Sequence, residues 1–286
     1  MHNITNMTIS IQGQLGSYHH QVAAKLYGES VRLICRDNFK EVFDDVLSGQ
    51  ADYAVCAIEN SSVGSINEVY DLLEVYRYPI VGEVIEHVHQ NLIGFEGADL
   101  SVITKIYSHP VALAQCADFI EHQLPHAEII EYHDTAAAVD FVRQSGEHSL
   151  AAIGSEAAAR LHDMSILESG VQDEQDNYTR FLVIDPRADE QQPPSEPEPN
   201  KASLVLITSH QPGALYNALG VFAKYDCNLT KLQSRPIAGK VWQYQFYIDT
   251  EITPGTLREV IMRLSEQECT VIHLGSYRSA EQQFND

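Results

Sequence analysis

The chain has 286 residues, 44% of them hydrophobic, which suits two or three globular domains with cores of their own. Its formal net charge of −22 argues against nucleic acid or an anionic membrane as a partner, because both attract basic surfaces. No run approaches the roughly 18 apolar residues of a membrane span, and the start lacks a signal-peptide pattern, so we expect a cytoplasmic protein.

Short β-like runs alternate with helical patterns over residues 1–185. Such alternation is typical of mostly parallel sheets flanked by helices, that is, of an α/β fold. A long predicted strand, Ile80–Gly94, can cross between two lobes, and a last strand near 179–184 can return to the first lobe. We therefore predict a two-lobed, periplasmic-binding-protein-like domain, with lobes 1–80 plus 179–185 and 81–178. The other predicted strands are near 9–11, 31–35, 53–58, 103–108, 127–132 and 149–153, and the helices near 18–27, from 38, 66–76, 110–122, 134–145 and 155–161.

A proline-rich stretch with almost no apolar residues follows at 186–201. It holds five of the eleven prolines and predicts an extended linker. After it, residues 202–286 read as strand, helix, strand, strand, helix, strand. This βαββαβ order predicts a second, ferredoxin-like domain. Its predicted elements are 203–209, 213–225, 228–234, 241–250, 256–266 and 270–277.

Three strand-to-helix junctions of the first domain carry small polar residues: 13–19, 59–65 and 108–110. Free N–H groups and the positive end of a helix dipole favour anions at such places. In parallel α/β sheets these junctions lie where ligands bind. They predict a carboxylate site that does without a cluster of lysines, although helix capping alone also explains such residues at any one junction.

Five segments resemble motifs of the prephenate dehydratase family. Residues 58–65 read IENSSVGS, 107–116 read YSHPVALAQC, and 177–181 read NYTRF. Near the C-terminus, 212–215 read PGAL and 233–236 read QSRP. The resemblance covers nearly the whole chain in the family's order. Valine replaces a usual glutamine at 111, and glutamine stands at 233 where glutamate is usual.

The resemblance implies a lyase of L-phenylalanine biosynthesis that converts prephenate to phenylpyruvate, water and carbon dioxide without a cofactor. Thr179 would hydrogen-bond the departing oxygen as a positioned donor. Arg180 would pair with a substrate carboxylate or brace the site from outside, and Phe181 would pack at the cleft wall. The implied substrate contacts are Asn60, Ser61, Ser108, Gln115 and Ser17.

The resemblance also implies that residues 202–286 form an ACT regulatory domain. Domains of this type pair edge to edge, so a homodimer or homotetramer is expected. The implied effector is L-phenylalanine, acting as an allosteric inhibitor, and Gln233 removes a charge from its pocket. The implied effector-binding residues are Gly213, Ala214, Leu215, Asn228, Leu229, Gln233, Ser234 and Arg235.

Two alternatives to this function stay open. An arogenate or broad cyclohexadienyl dehydratase differs only in tolerating a substrate amino group. A non-catalytic binding module has similar lobes, although the missing signal peptide and the Thr-Arg-Phe segment argue against it. Since the first strand begins by residue 7, we expect no chorismate mutase domain before it.

Several suggestive residues have simpler interpretations. His87 and His89 alternate on a strand, but no further ligand set is evident, so we predict no metal site. The pair His19–His20 predicts the start of a surface helix rather than a base. Residues 173–176 predict a solvated acidic loop, although their place beside Thr179 leaves a role in gating the cleft open. The five cysteines have no CxxC pair, and Cys56 and Cys116, beside the proposed site, are expected to be buried thiols rather than nucleophiles. The alternating aromatic residues at 242–246 predict sandwich core or a dimer contact.

Overall fold

The computed structural model describes residues 7–188, 198–237, 239–253 and 255–280. They form two compact units. The first comprises the described residues up to Leu72 together with Ile85–Phe181, and the second comprises Leu73–Val84 with the described residues from Leu182 onward.

The chain up to Ile184 alternates strands and helices. Local signals set many of its boundaries. Asn38 accepts a hydrogen bond from the Glu41 N–H at 3.0 Å and so caps the helix that begins at Phe39. The elements are β1 (Thr8–Gln12), α1 (Tyr18–Tyr27), β2 (Arg32–Arg36), α2 (Phe39–Leu47), β3 (Tyr53–Asn60), β4 (Gly64–Ser65), α3 (Asn67–Tyr76), β5 (Ile80–His87), β6 (Asn91–Gly94), β7 (Lys105–Ser108), α4 (Pro110–Ala114), α5 (Ala117–Gln123), β8 (Glu128–Glu131), α6 (Thr135–Ser145), β9 (Leu150–Gly154), α7 (Glu156–Leu161), β10 (Ser165–Glu168) and β11 (Tyr178–Ile184).

These strands form two sheets, one for each lobe. The first has the order β2-β1-β3-β11-β5, with β4 beside β3. The second has the order β10-β6-β9-β7-β8. Parallel pairs lie at β1–β2, β1–β3, β7–β8 and β7–β9, whereas β6 and β10 run antiparallel to their neighbours. The two-lobed α/β prediction is therefore confirmed, with sheets that are mixed rather than mostly parallel.

The predicted long strand Ile80–Gly94 is wrong as a single strand. It consists of β5 in the first sheet and β6 in the second, separated by a crossover at 88–90. The crossover pairs with the returning chain: the Val88 N–H donates to the Asn177 carbonyl at 2.7 Å, and the Val171 N–H donates to the Gln90 carbonyl at 2.8 Å. The two crossings between lobes thus lie side by side.

The predicted helix 110–122 is also two elements, α4 and α5. The loop at 173 explains the break, because the Asp173 N–H donates to the Gln115 carbonyl at 2.8 Å. The Asp173 carboxylate then accepts the Asp118 N–H at 3.2 Å in the first turn of α5, where Cys116 supplies no side-chain cap. A residue 55 positions away in sequence therefore caps this helix.

The C-terminal part has the βαββαβ order that the sequence predicts. The sheet order is β13-β14-β12-β15, and every described pair of it is antiparallel. One face of the sheet packs against both helices through residues such as Leu206, Phe222 and Leu264. Most of the predicted linker 186–201 lies outside the described residues, since 189–197 are not among them. The elements are β12 (Lys201–Ile207), α8 (Ala214–Lys224), β13 (Leu229–Pro236), β14 (Tyr244–Glu251), α9 (Thr256–Glu266) and β15 (Thr270–Tyr277).

The opposite face of this sheet meets the short segment Leu73–Val84 of the same unit. Lys201 pairs with Glu83 at 2.9 Å, with side chains only 10% and 1% exposed. Gly275 lies so close to Ile80 that a Cβ there would overlap the Ile80 backbone. No helix in the described ranges is long and apolar enough to cross a bilayer.

Candidate active site

The end of β3 and the start of β11 meet through Asn60. Its Nδ2 donates to Thr179 Oγ1 at 3.0 Å and to Asn177 Oδ1 at 2.7 Å. Its Oδ1 accepts the N–H groups of Ser62 and Val63, both at 3.0 Å. Both ends of the amide are therefore held, so its orientation is fixed with the donor facing Thr179.

The Thr179 hydroxyl has one partner among the described residues, and that partner is a donor. Because Oγ1 accepts from Asn60, the hydroxyl proton must point elsewhere. Thr179 as a whole residue is half-buried. The arrangement presents one directed O–H donor to a ligand.

Ser61 anchors the segment that leads into β11. Its hydroxyl donates to the Asp176 carbonyl at 3.0 Å and accepts the Tyr178 N–H at 2.9 Å. Its own N–H donates to the Tyr178 carbonyl at 2.8 Å. The predicted substrate contact at Ser61 therefore has its hydroxyl proton already used, and its observed role is to position the strand.

Arg180 faces Glu59 rather than an open cleft. The ion pair measures 3.0 Å between Nη1 and Oε1, and the arginine side chain is 9% exposed. Of the two roles predicted for Arg180, bracing the site is the one that this geometry supports. The pair fixes the strand ends that carry Asn60 and Thr179.

Phe181 is fully buried, so its predicted position at the cleft wall is wrong. Its ring meets the edge of His19 with ring centroids 5.0 Å apart. His19 is itself buried, contrary to the predicted surface position, because its Nε2 accepts the Ala57 N–H at 3.1 Å. Burial lowers the pKa of His19 from 6.5 to about 3, so it stays neutral at ordinary pH.

Two predicted contacts belong to the second lobe. Ser108 is fully buried, and its hydroxyl donates to the Ile153 carbonyl at 2.7 Å, so it has no proton left for a substrate. Gln115 is half-buried, and its Oε1 accepts from Gln90 Nε2 at 3.3 Å. The Gln115 Nε2 group has no partner within the described ranges. Of these two residues, only Gln115 offers free donors.

Ser17 lies where the two lobes touch. It is the N-cap of α1 and accepts the His20 N–H at 3.3 Å. The preceding Gly16 carbonyl accepts the Ser155 hydroxyl at 2.6 Å, across the two lobes. Gly16 has a positive φ, and a Cβ there would lie 2.9 Å from Ala158 Cα. Glycine is therefore required for this close approach.

The acidic segment 173–176 is exposed, as predicted, but it is bonded to both lobes. Glu174 accepts from the Ser62 hydroxyl at 2.9 Å in the first lobe, whereas Asp173 caps α5 in the second. The Gln175 carbonyl lies 2.7 Å from His87 Nε2. The segment therefore bridges the two lobes, a contact that no local sequence signal indicated.

The histidine pair and the two buried cysteines give no competing site among the described residues. His87 and His89 lie with ring centroids 3.9 Å apart, and burial, then His87, lowers the pKa of His89. The described residues contain no group of three or more side chains placed for a metal ion. Burial raises the pKa of Cys56 far above its usual range and that of Cys116 to about 12, so both thiols stay protonated.

Two cavities, of about 460 and 400 Å³, lie on the second unit beside the start of α8. Ala214 lines both, Leu215 lines the second, and Gly213 supplies the left-handed turn before the helix, with φ 83°. Among the lining residues of the second cavity, sequence reasoning missed five that belong to neighbouring strands and turns. These are Thr208, Ser209, Gln243, Tyr244 and Phe246.

The other predicted effector residues lie on or beside β13, and none lines either cavity. Ser234 pairs with Phe246 of β14, so this end of the strand adjoins the second cavity. The Asn228 carbonyl accepts the Glu251 N–H at 2.8 Å. The remaining predicted residues of this group are Leu229, Gln233 and Arg235.

Comparison with known proteins gives one consistent family. The family profile described as Prephenate dehydratase matches residues 9–189. The bifunctional chorismate mutase/prephenate dehydratase of Escherichia coli strain K12 is 36% identical over 277 residues, covering 95% of this chain and 70% of that protein. Arogenate dehydratase 5, chloroplastic, of Arabidopsis thaliana is 35% identical over 293 residues, covering 96% and 68%.

Solved structures agree in fold over nearly the whole chain. The prephenate dehydratase of Arthrobacter aurescens in complex with L-Phe has a TM-score of 0.85 at 26% identity, covering 97% of this chain and 91% of that one. A structure described as GqqA, a novel type of quorum quenching acylase, has a TM-score of 0.84 at 31% identity, covering 96% and 98%.

Proposed function

The chain belongs to the prephenate dehydratase family, and we propose that Thr179 is the group that assists loss of the ring hydroxyl in its reaction. The enzyme converts prephenate to phenylpyruvate. The bond to the ring carboxylate breaks and releases carbon dioxide, and its electron pair expels the hydroxyl group as the ring becomes aromatic. One proton is taken up, so the hydroxyl leaves as water.

The observation that carries this proposal is the bond from Asn60 Nδ2 to Thr179 Oγ1. This bond leaves the threonine O–H group free to hydrogen-bond the departing oxygen, where negative charge develops. A threonine hydroxyl is too weak an acid to give its proton away, so we assign it the role of a fixed hydrogen-bond donor. Donors of this kind are worth about 10²–10³ in kcat in other enzymes.

The site has to hold a dianion on a protein of net charge −22. Arg180 is paired with Glu59, so neutral donors must supply much of the binding. Two sets are available within the first unit: the Gln115 Nε2 group and the N–H groups at the start of α1, which follows Ser17. We assign Gln115 and this helix end to the substrate carboxylates.

The test is phenylpyruvate formation from prephenate by the purified chain and two variants. Thr179→Val keeps the shape of the side chain and removes the hydroxyl, whereas Thr179→Ser keeps the hydroxyl. We expect kcat to fall about 10²-fold or more in Thr179→Val and to stay within about tenfold of wild type in Thr179→Ser. Equal kcat in wild type and Thr179→Val would remove Thr179 from the mechanism.

The same assay with arogenate decides the substrate class. We propose prephenate as the main substrate, so kcat/KM should be higher for prephenate than for arogenate. The reverse ratio would make the enzyme an arogenate dehydratase. Turnover of neither substrate would favour a binding module.

An acylase reaction, suggested by the description of one structural relative, has less support from this site. Acyl transfer needs an activated nucleophile beside a base. Thr179 accepts from an amide and contacts no base within the described residues, while the raised pKa values of Cys56 and Cys116 keep both thiols protonated.

We further propose that residues 202–286 form an ACT-type regulatory domain that binds L-phenylalanine beside Ala214. Support comes from the two cavities at the start of α8 and from the phenylalanine complex of the Arthrobacter relative. Ala214→Leu should narrow both cavities and weaken binding in calorimetry. Ala223→Leu, an exposed change in the same helix, is the matched control. Equal binding by both variants would place the effector elsewhere.

Copies of the chain are proposed to pair through this second unit into dimers or tetramers. Val241 and Trp242 are 80% and 76% exposed, an unusual position for large apolar side chains. Light scattering on wild type and Trp242→Glu tests this assignment. We expect the variant to shift toward the monomer, and a monomeric wild type would refute it.

A further inference from the structure

Gln90 lies in the first crossover between the lobes and is only 4% exposed. Its backbone is held on both sides. The N–H donates to Gln172 Oε1 at 3.0 Å, and the carbonyl accepts the Val171 N–H at 2.8 Å. The residue is therefore fixed in place by main-chain bonds that do not depend on its side chain.

The side chain of Gln90 makes a single hydrogen bond. Its Nε2 donates to Gln115 Oε1 at 3.3 Å, while its Oε1 is buried and has no partner in the described part of the chain. Buried polar atoms without a partner are rare and destabilising, and an apolar side chain of the same length would avoid one. Stability alone does not explain a glutamine at this position.

The bond from Gln90 determines which way the Gln115 amide points. Because Gln115 turns its Oε1 toward Gln90, its Nε2 group faces away and keeps both donors free. The reversed arrangement would have Gln115 Nε2 donate to Gln90 Oε1 and would present an acceptor instead. An acceptor oxygen repels a carboxylate, whereas the N–H donors bind it. The observed arrangement leaves the Gln90 oxygen unpaired, whereas the reversed one would leave the Gln90 amide nitrogen unpaired. Buried N–H groups without a partner are rarer than such carbonyl oxygens, so the observed arrangement is the favoured one.

The structure assigns to Gln90 a positioning role: it orients the Gln115 amide so that donors, not an acceptor, face the anionic substrate. Gln90 acts through Gln115 and does not itself touch the reacting atoms. The inference rests on the proposed function, since it takes Gln115 as a substrate contact. It explains how a neutral amide on an acidic protein can bind one carboxylate of a dianion.

The test is a double-mutant cycle on the full chain with prephenate as substrate. Gln90→Met and Gln115→Met remove the two amides without adding charge, and the double variant joins them. Gln144→Met, an exposed change in α6, is the control for the substitution itself, since Gln144 bonds only to Asp140 of its own helix. We expect Gln90→Met to raise KM roughly two- to tenfold with kcat within about twofold of wild type. The double variant should match Gln115→Met alone, because Gln90 acts only through that residue.

Any other outcome would overturn the inference or one of the assignments on which it depends. Multiplying KM effects in the double variant would show that Gln90 acts independently and would overturn the inference. So would an unchanged KM in Gln90→Met, or a lower melting temperature there with no change in KM, which is the mark of a purely structural residue. An unchanged KM in Gln115→Met would refute the substrate contact itself. A wild type that does not turn over prephenate would refute the proposed function itself, independently of the double-mutant cycle.

Discussion

Lowering the pH should weaken the first lobe through His19. The folded protein keeps this ring neutral down to about pH 3, whereas the unfolded chain takes up a proton near pH 6.5. Between these values the unfolded state binds more protons, so stability is lost as the pH falls through 6.5. From about pH 8 to about pH 5 the loss is about 2 kcal/mol, at 1.36 kcal/mol for each pH unit below 6.5.

His19→Gln isolates this contribution. A glutamine oxygen can accept the Ala57 N–H that His19 Nε2 now accepts at 3.1 Å, but it does not titrate. Hydrogen–deuterium exchange of the β3 amides measures the local opening free energy in the first lobe. We expect wild type to lose about 2 kcal/mol more protection than His19→Gln over this pH range. His126→Gln, at an exposed position, is the control and should follow wild type. Parallel pH profiles of wild type and His19→Gln would refute the reasoning.

The second unit supplies two further predictions. Gly275→Ala should cost about 3 kcal/mol or more in urea unfolding, because the new Cβ overlaps the Ile80 backbone, while Gly220→Ala in the open middle of α8 should stabilise by about 0.5–1 kcal/mol. Equal effects of the two changes would contradict the close approach. Lys201→Met should cost about 3–5 kcal/mol, because it leaves the buried Glu83 carboxylate without its cation, and adding Glu83→Leu should restore most of the loss. A loss that persists in the double variant would show that the charge is not the cause.

Elements with local start and stop signals could be predicted from the sequence. The helix 18–27 is found with both ends as predicted, since Ser17 caps its start and Gly28 follows its end. The last helix and strand, 256–266 and 270–277, also match residue for residue. In these segments the boundary is set by residues within a turn of it.

The breaks at 88–90 and 115–116 could not be predicted in this way. No glycine or proline separates Glu83 from Ile93, so the apolar alternation reads as one strand. The chain leaves the first sheet because its amides bond to the returning crossover, more than 80 residues later. Tertiary partners of this kind override local pattern.

The candidate site also has one part that the sequence predicts and another that only the folded structure determines. Thr179 and Asn60 were found only through the resemblance of their motifs, since they lie 119 positions apart. Which hydroxyls retain a free proton is a property of the folded state. Ser61 and Ser108 look equivalent to Thr179 in the sequence, yet their protons are held by main-chain carbonyls.

The order of strands in the first sheet has a consequence for synthesis on the ribosome. β11 lies between β3 and β5, although the whole second lobe is made before it. The first sheet therefore emerges with a gap in its middle, with the edges of β3 and β5 unpaired. The second lobe has all its own strands by residue 168 and can fold while that gap is open. Thr179, the proposed hydroxyl donor, thus arrives on the last strand of this sheet, and its bond to Asn60 forms in the same step that closes the sheet.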